Sequence, residues 1–419
     1  MFLHIIIGNA FKFNLGNFEN LNKIVVQTIM KTSEFIQQHQ HDDIRKLALQ
    51  AAKYPDVDFP FALRQIAGRQ IAAIKIPSWY SKEEIIYPPH LSLEQCSSEI
   101  TALYKASLFQ GKKLVDLTGG FGIDCSFLSP KFREVAYVER QPDLCEIALS
   151  NFKTLSLNHV KVYCMESGLY LEEMDPVDCI YLDPARRDKH GKKTVSISDC
   201  EPDVERLKDR LIEKAQSVWV KFSPMLDISL ALTQLPMTTE IHVVAVDNEC
   251  KELLFKMEQN AKRGNEPVIY CVNLKKNHID EHFSFTKTEE NNSECCFADL
   301  SGSYLYEPNA AILKAGAYKC LTQHYPIRKL HPNSHLYTSD TYVPNFPGRS
   351  FCIIELFSLS KQESKQSLSG LTQANITVRN FPLSVNELRK KTGLKEGGEI
   401  YLFATTLWNE KRVLIKCKK

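Results

Sequence analysis

Apolar, β-branched runs alternate with helix-patterned segments from residue 112 to residue 275, and no other feature narrows the fold of this chain so far. The runs fall at Lys113–Thr118, Glu134–Arg140, Val160–Met165, Val177–Pro184, Ser217–Ser223, Glu240–Asp247 and Pro267–Lys275. Helical patterns such as 141–157, 203–215 and 225–235 lie between them. Strands that are apolar on both faces need cover on both faces, which predicts an α/β, mostly parallel, doubly wound sheet. The count of seven matters, because a dinucleotide-binding sheet usually has about six strands.

The flanks read differently. Residues 30–110 are predicted helical, with Ile44, Leu47, Phe61, Leu63, Ile66 and Ile74 recurring at three- and four-residue steps. After the break Ile86-Tyr-Pro-Pro-His90 a further helix is expected, capped by Ser92 and carrying Leu93, Cys96, Ile100 and Leu103 on one stripe. Met30 opens an ordinary soluble sequence, so residues 1–29 read as an upstream extension. The polar stretch 277–294 marks a boundary after a central domain of 111–276. Beyond it a mixed tail is expected: helix 308–324, strands 350–358, 375–379, 399–405 and 411–417, and a short helix at 384–392.

Charge is balanced, 52 Lys and Arg against 50 Asp and Glu, so any basic surface must be local. Thirteen cysteines with no CxxC pair argue against a zinc ribbon and a thioredoxin-like redox motif and fit a reducing, cytoplasmic setting; no metal is expected. No run reaches the roughly 18 apolar residues that cross a bilayer. The stretch Phe2-Leu-His-Ile-Ile-Ile-Gly8 lacks the positive flank of a signal sequence.

The first strand runs into Asp116-Leu-Thr-Gly-Gly-Phe-Gly-Ile-Asp124. Gly119, Gly120 and Gly122 allow a tight turn and close approach of a ligand at a helix start. The Gly-Lys-Ser/Thr of a P-loop is absent, and Cys125 stands where a dinucleotide fingerprint needs its third glycine. Acids surround the turn instead. Asp116 and Asp124 bracket it, Glu139 ends the second strand, and Glu166 and Ser167 follow the third. That set suits S-adenosylmethionine (SAM), which carries a sulfonium, an amine and a ribose diol. Asp116 would face the cationic part, Glu139 the two ribose hydroxyls, and Glu166 with Ser167 the adenine.

The fourth strand delivers Asp183-Pro-Ala-Arg-Arg187 to the carboxyl edge of the sheet, where such folds place their chemistry. The Asp183 carboxylate and the Pro184 carbonyl could hold an amine and aim its lone pair for in-line transfer. A basic loop follows from Arg186 to Lys193, with five Lys or Arg in eight residues; Arg186 and Arg187 suit phosphate contacts. An alternative set is Lys105, Asp183, Lys221 and one of Glu249, Glu252 or Glu266, which could activate a ribose 2′-hydroxyl, with Lys105 also near substrate. No cysteine follows Pro184 or Ala185, which disfavours attack on a pyrimidine ring.

Leu93-Glu-Gln-Cys-Ser-Ser-Glu99, the glycine segment and Leu182-Asp-Pro-Ala-Arg-Arg187 resemble bacterial class I SAM-dependent methyltransferases with a THUMP-like C-terminal domain. Tyr304-Leu-Tyr-Glu-Pro-Asn309, Phe346-Pro-Gly-Arg349 and Asn375-Ile-Thr-Val-Arg-Asn-Phe-Pro382 extend the likeness into the tail. The resemblance implies a Rossmann-like domain, a ferredoxin-like segment near 281–324 and a THUMP-like module near 325–419. It implies SAM contacts at Gly119, Gly120, Gly122 and Glu139, a catalytic edge at Asp183 and Pro184, and tRNA or rRNA as substrate. Ala185 and Arg186 stand where RNA and DNA amine methyltransferases usually carry proline and an aromatic, which leaves the acceptor atom open.

Residues 371–419 hold ten Lys or Arg against four Asp or Glu, clustered at Arg389-Lys-Lys391 and Lys416-Cys-Lys-Lys419 near Phe381, Tyr401, Phe403 and Trp408. Such a face suits RNA. A methyltransferase of a protein or small molecule, with the tail used for assembly, is the rival reading; a non-catalytic RNA-binding protein is a third.

Overall fold

The computed structural model describes residues 18–186, 197–262, 264–298 and 302–419. Arg187 and the rest of the basic loop to Lys193 lie outside the described residues, as does the start of the expected extension. The chain forms two compact units, 1–183 and 184–419.

The first unit opens with helices, the longest being Phe18–His39, Phe59–Lys75 and Glu99–Leu108. The first of these runs through the expected boundary at Met30. Asp58 caps the second by accepting from Phe61 N–H at 3.2 Å. The helix expected from Ser92 is two: His90–Gln95 breaks at Cys96, and Ser98 occupies the N-cap of Glu99–Leu108. The break turns the stripe, so Leu103 is exposed while Ala102, Lys105 and Ala106 face inward.

Four strands follow: β1 (Lys113–Asp116), β2 (Glu134–Glu139), β3 (Val160–Cys164) and β4 (Val177–Leu182). They are parallel in the order β4-β1-β2-β3. Register sets Asp116 level with Tyr137 on one side and Tyr181 on the other. Everything just beyond those residues therefore emerges at one edge.

The helices wall this edge. Phe121 of the glycine turn is buried in a cluster with Ala72, Ile76, Trp79, Ile86 and Tyr87, its ring 5.1 Å from that of Trp79. The extended segment Ile85–Tyr87 is clamped by two buried amides. Asn151 accepts from Ile86 N–H and donates to Ile86 C=O, both at 2.9 Å; Gln65 does the same for Tyr87 at 2.9 and 3.0 Å. These bonds imitate a strand ladder where no strand is present, satisfying buried backbone groups.

In the second unit β5 (Ala185–Arg186) pairs with β6 (Cys200–Glu201). Next come β7 (Ala215–Phe222), β8 (Thr238–Val246), β9 (Glu249–Glu258), β10 (Val268–Leu274) and β11 (Glu281–Phe285), ordered β11-β10-β8-β9-β7. The seven expected strands are present. Two more, β9 and β11, are added, and both run antiparallel to their neighbours. β8 and β9 form a hairpin whose two turn residues, Asp247 and Asn248, both have positive φ, 47° and 67°. That is the handed turn which matches strand twist, and Asp and Asn tolerate it.

The tail forms a seven-stranded sheet from β12 (Tyr304–Pro308), β13 (Arg328–Lys329), β14 (Tyr337–Ser339), β15 (Gly348–Phe357), β16 (Asn375–Arg379), β17 (Ile400–Thr406) and β18 (Arg412–Lys418). Its order is β13-β14-β12-β15-β18-β17-β16. The helix expected over 308–324 is interrupted: Ala310–Ala315 ends at Gly316 with φ 82°, and Leu321–His324 starts afresh. Glu290 holds the break, its carboxylate accepting from the N–H groups of Tyr318, Lys319 and Cys320 at 2.9–3.0 Å. No helix among the described residues is long and apolar enough to cross a membrane.

Candidate active site

The glycine turn is built by exclusion of side chains. A Cβ on Gly119 would overlap the buried Tyr137 ring, while Gly120 and Gly122 have φ of 54° and 85°. Both conformations are costly for residues with a Cβ. Tyr137 O–H donates to Gly120 C=O at 2.5 Å, and Glu139 Oε2 accepts from Gly120 N–H at 2.9 Å. The other oxygen of Glu139 accepts from Gln141 N–H at 2.8 Å. Glu139 is thus fixed by backbone donors, with further lone pairs on both oxygens for a ligand.

The fourth-strand corner is fastened to the same turn. Asp183 N–H donates to Thr118 Oγ1 at 2.6 Å, and Thr118 N–H donates to Asp116 Oδ1 at 3.0 Å. Asp116 is 1% exposed, and burial drives its carboxyl well above the usual range; the charges of Asp124, Asp183 and Glu139 push the same way. Glu139 and Asp183, joined by Asp116 once it ionises, make a field around the turn that favours a bound cation.

Asp124 and Lys105 take structural places. Asp124 Oδ2 accepts from Ser97 Oγ at 2.8 Å and from Tyr181 O–H at 2.7 Å, and Lys105 Nζ lies 3.2 Å from Oδ1. Lys105 is fully buried and also donates to Ser97 at 3.0 Å. Lys105, expected near substrate, thus lies in this buried cluster with no surface open to solvent. Ser167 Oγ donates to Leu117 C=O at 2.6 Å, joining the start of helix Ser167–Glu173 to the turn. Glu166 is half exposed and lies 3.9 Å from Arg140.

Lys221 is half-buried on β7, opposite Leu254 of β9. The backbone of Arg186 pairs with Cys200 in the short ladder, and Pro184 is buried. Sequence reasoning missed Thr118, Tyr137, Ser97 and Tyr181. Ser97 lies within the Leu93–Glu99 segment and Thr118 within the glycine segment, so both stood beside residues already singled out.

Two family models match the tail: one described as a ferredoxin-like domain over residues 304–347, the other as THUMP domain-like over 348–419. The expected limits for these segments were 281–324 and 325–419. A candidate methyltransferase of solved structure from Porphyromonas gingivalis W83 is 35% identical, with a TM-score of 0.83 over 93% of this chain and 97% of that one. Fold and pocket together define a methyltransferase-type α/β architecture with two appended domains. The chain belongs to the family of bacterial class I SAM-dependent methyltransferases with a THUMP-like C-terminal domain.

More distant structures share far less. A candidate RNA methyltransferase from Pyrococcus horikoshii is 15% identical over 41% of this chain and 90% of its own, with a TM-score of 0.28. A candidate methyltransferase from Streptococcus mutans, solved with SAH, is 13% identical over 38% and 96%, with a TM-score of 0.29. Likenesses this weak carry no argument for the present chain. No protein of curated function matches it.

Proposed function

We propose that this protein transfers a methyl group from SAM to RNA, tRNA or rRNA, at the Asp183-Pro184 edge. The observation that carries the reading is the pair of hydrogen bonds through Thr118, which ties Asp183 to the turn that holds Asp116. A transfer site needs its donor pocket and acceptor corner kept in register, and this link keeps them so.

The residues fit the cofactor. Gly120 faces open space, with nothing but Thr118 C=O within 4 Å of where its Cβ would stand. Glu139 has lone pairs for two ribose hydroxyls, and the acid field suits a sulfonium and an amine. SAM, when bound, supplies an electrophilic methyl carbon. Asp183 and the Pro184 carbonyl orient the acceptor amine, and Asp116, on losing its proton, adds a negative charge facing the sulfonium and amine. The ribose 2′-hydroxyl alternative loses support from the burial of Lys105.

Nucleosides of tRNA and rRNA from cells with and without the gene, compared by mass spectrometry, test this directly. One methylated nucleoside should be absent without the protein. Labelling of a protein or metabolite, with all RNA fractions unlabelled, would transfer the reading to the rival substrate class. Asp183→Ala is expected to slow transfer by about 100- to 10,000-fold, while calorimetry finds SAM affinity changed by less than about tenfold.

A further inference from the structure

Three tail segments singled out in the sequence converge on one carboxylate. Glu307 of β12 is 2% exposed. Its Oε2 accepts from Arg349 Nε at 2.8 Å and from Arg349 Nη2; its Oε1 accepts from Arg379 Nε and Nη2 at 3.1 and 2.9 Å. Three strands separate β12 from β16 in the sheet order, yet Arg379 reaches across. One carboxylate therefore grips two guanidiniums and balances only one of them.

Both arginines keep donors in hand. Their side chains are 34% and 38% exposed, and neither Nη1 has a protein partner among the described residues. The surplus charge extends inward. Lys329 is 2% exposed and gives its ammonium to a neutral acceptor, Pro332 C=O, at 2.8 Å. His335 has φ 52° and stacks on Tyr318 at 3.7 Å, and its Nδ1 is buried without a partner. Burial first, and then the positive charges of Lys329 and Arg379, hold that ring neutral, its pKa lowered to about 4. Asn380, directly after Arg379, also has positive φ, 51°.

The chain just past β17 carries an exposed aromatic. Trp408 is 46% exposed and stacked on Phe297 at 4.2 Å. Thr406, two residues earlier, donates to Asn380 C=O at 2.6 Å, and Thr405 is level with Arg379 in the β16–β17 register.

We propose that Arg349 and Arg379, pre-set by Glu307, form a fork for a phosphodiester of the RNA substrate, with Trp408 as the platform for a neighbouring base. The inference rests on the RNA reading above and names where on the tail the RNA is gripped. Fixed guanidiniums lose little freedom on binding and present paired donors to phosphate oxygens. Arg389 and Lys416, in the clusters noticed from sequence, are committed elsewhere: Arg389 to the carbonyls of Ala374 and Leu394, Lys416 to that of Ser367.

Binding of tRNA and rRNA from cells lacking the gene, titrated against salt with the full chain, tests the fork. Arg349→Gln and Arg379→Gln should each bind on the order of tenfold more weakly, with a log–log salt slope shallower by about 0.7–0.9. Arg379→Lys keeps the charge and the pairing with Glu307, so it should fold, retain the wild-type slope and still lose affinity several-fold. Trp408→Ala should weaken binding at unchanged slope. SAM affinity should be the same in all four. If the folded Gln variants keep both affinity and slope, or Arg379→Lys binds as wild type, the fork is a fold clamp alone and the RNA reading survives. If the wild-type chain binds no RNA fraction, the reading and the fork fall together.

Discussion

At Asp116, burial and three neighbouring carboxylates act in one direction, and the sign of their effect on stability follows. A carboxyl raised in the folded state stabilises the fold while protonated. That contribution is complete below the ordinary carboxylate range and is lost as pH climbs through the raised value. Asp116→Asn should therefore melt higher than wild type at about pH 7 and alike at about pH 4. Equal melting at both would mean the carboxyl is not held this way. Only the ionised group attracts a cation, so SAM affinity should strengthen from about pH 5 to about pH 8 with release of a proton. Calorimetry in buffers of different ionisation enthalpy reads both quantities, and a flat profile speaks against the assignment. Gly119→Ala pushes a methyl group into the Tyr137 ring and should cost about 1–3 kcal/mol, lowering SAM affinity as the turn shifts. The acids themselves were legible from sequence because strand ends announce them. The partners of Asp124 were not: Lys105, Ser97 and Tyr181 meet only through folding, from positions 105, 97 and 181.

Elements show the same division. β1, β2 and β4 could be read from apolar runs because most of their residues are buried, whereas β3 is half open and was legible from its alternating Val160, Val162 and Cys164. β9 was missed because its first half, Glu249-Cys-Lys-Glu252, is polar, and because Lys256 and Glu258 interrupt its second half. The structure explains their tolerance: Lys256 pairs with Glu240 at 2.7 Å and Glu258 at 3.0 Å. The Asp247-Asn248 turn was the available signal for that hairpin. Within helix Phe59–Lys75, Gly68 looks like a defect, since alanine there should gain about 1 kcal/mol of helix propensity. Its Cβ would overlap Tyr87, so Gly68→Ala should instead lower stability by about 1–3 kcal/mol in urea unfolding. The overlapped atoms are Cβ and Cγ of Tyr87, which leucine also has, so the loss should persist in a Tyr87→Leu background, and its disappearance there would refute the steric cause. Tyr87→Phe removes a buried hydroxyl that has no partner and should leave stability nearly unchanged.

For the whole molecule, near-neutral charge means that composition gives no sign of the proposed RNA binding. The excess resides in the tail and, within the tail, at positions that sequence cannot rank. Lys416 and Arg389 sit in conspicuous basic runs but bond to their own backbone, whereas Arg349 and Arg379 stand singly in the sequence and meet in space. RNA affinity should fall at least tenfold between about 50 and 200 mM salt, and SAM affinity far less. An RNA affinity indifferent to salt would contradict a phosphate-gripping tail.

Phe121 sits at the crest of the glycine turn, yet its ring belongs to the helical layer with Trp79 and Tyr87. A chain trimmed to begin at Lys113 would retain every acid of the pocket and lose the surface on which its rim is seated. The early helices thus help to hold the shape of the glycine turn without lying on it. Substitutions there give selection a way to loosen or tighten the pocket without touching a single group that meets the ligand.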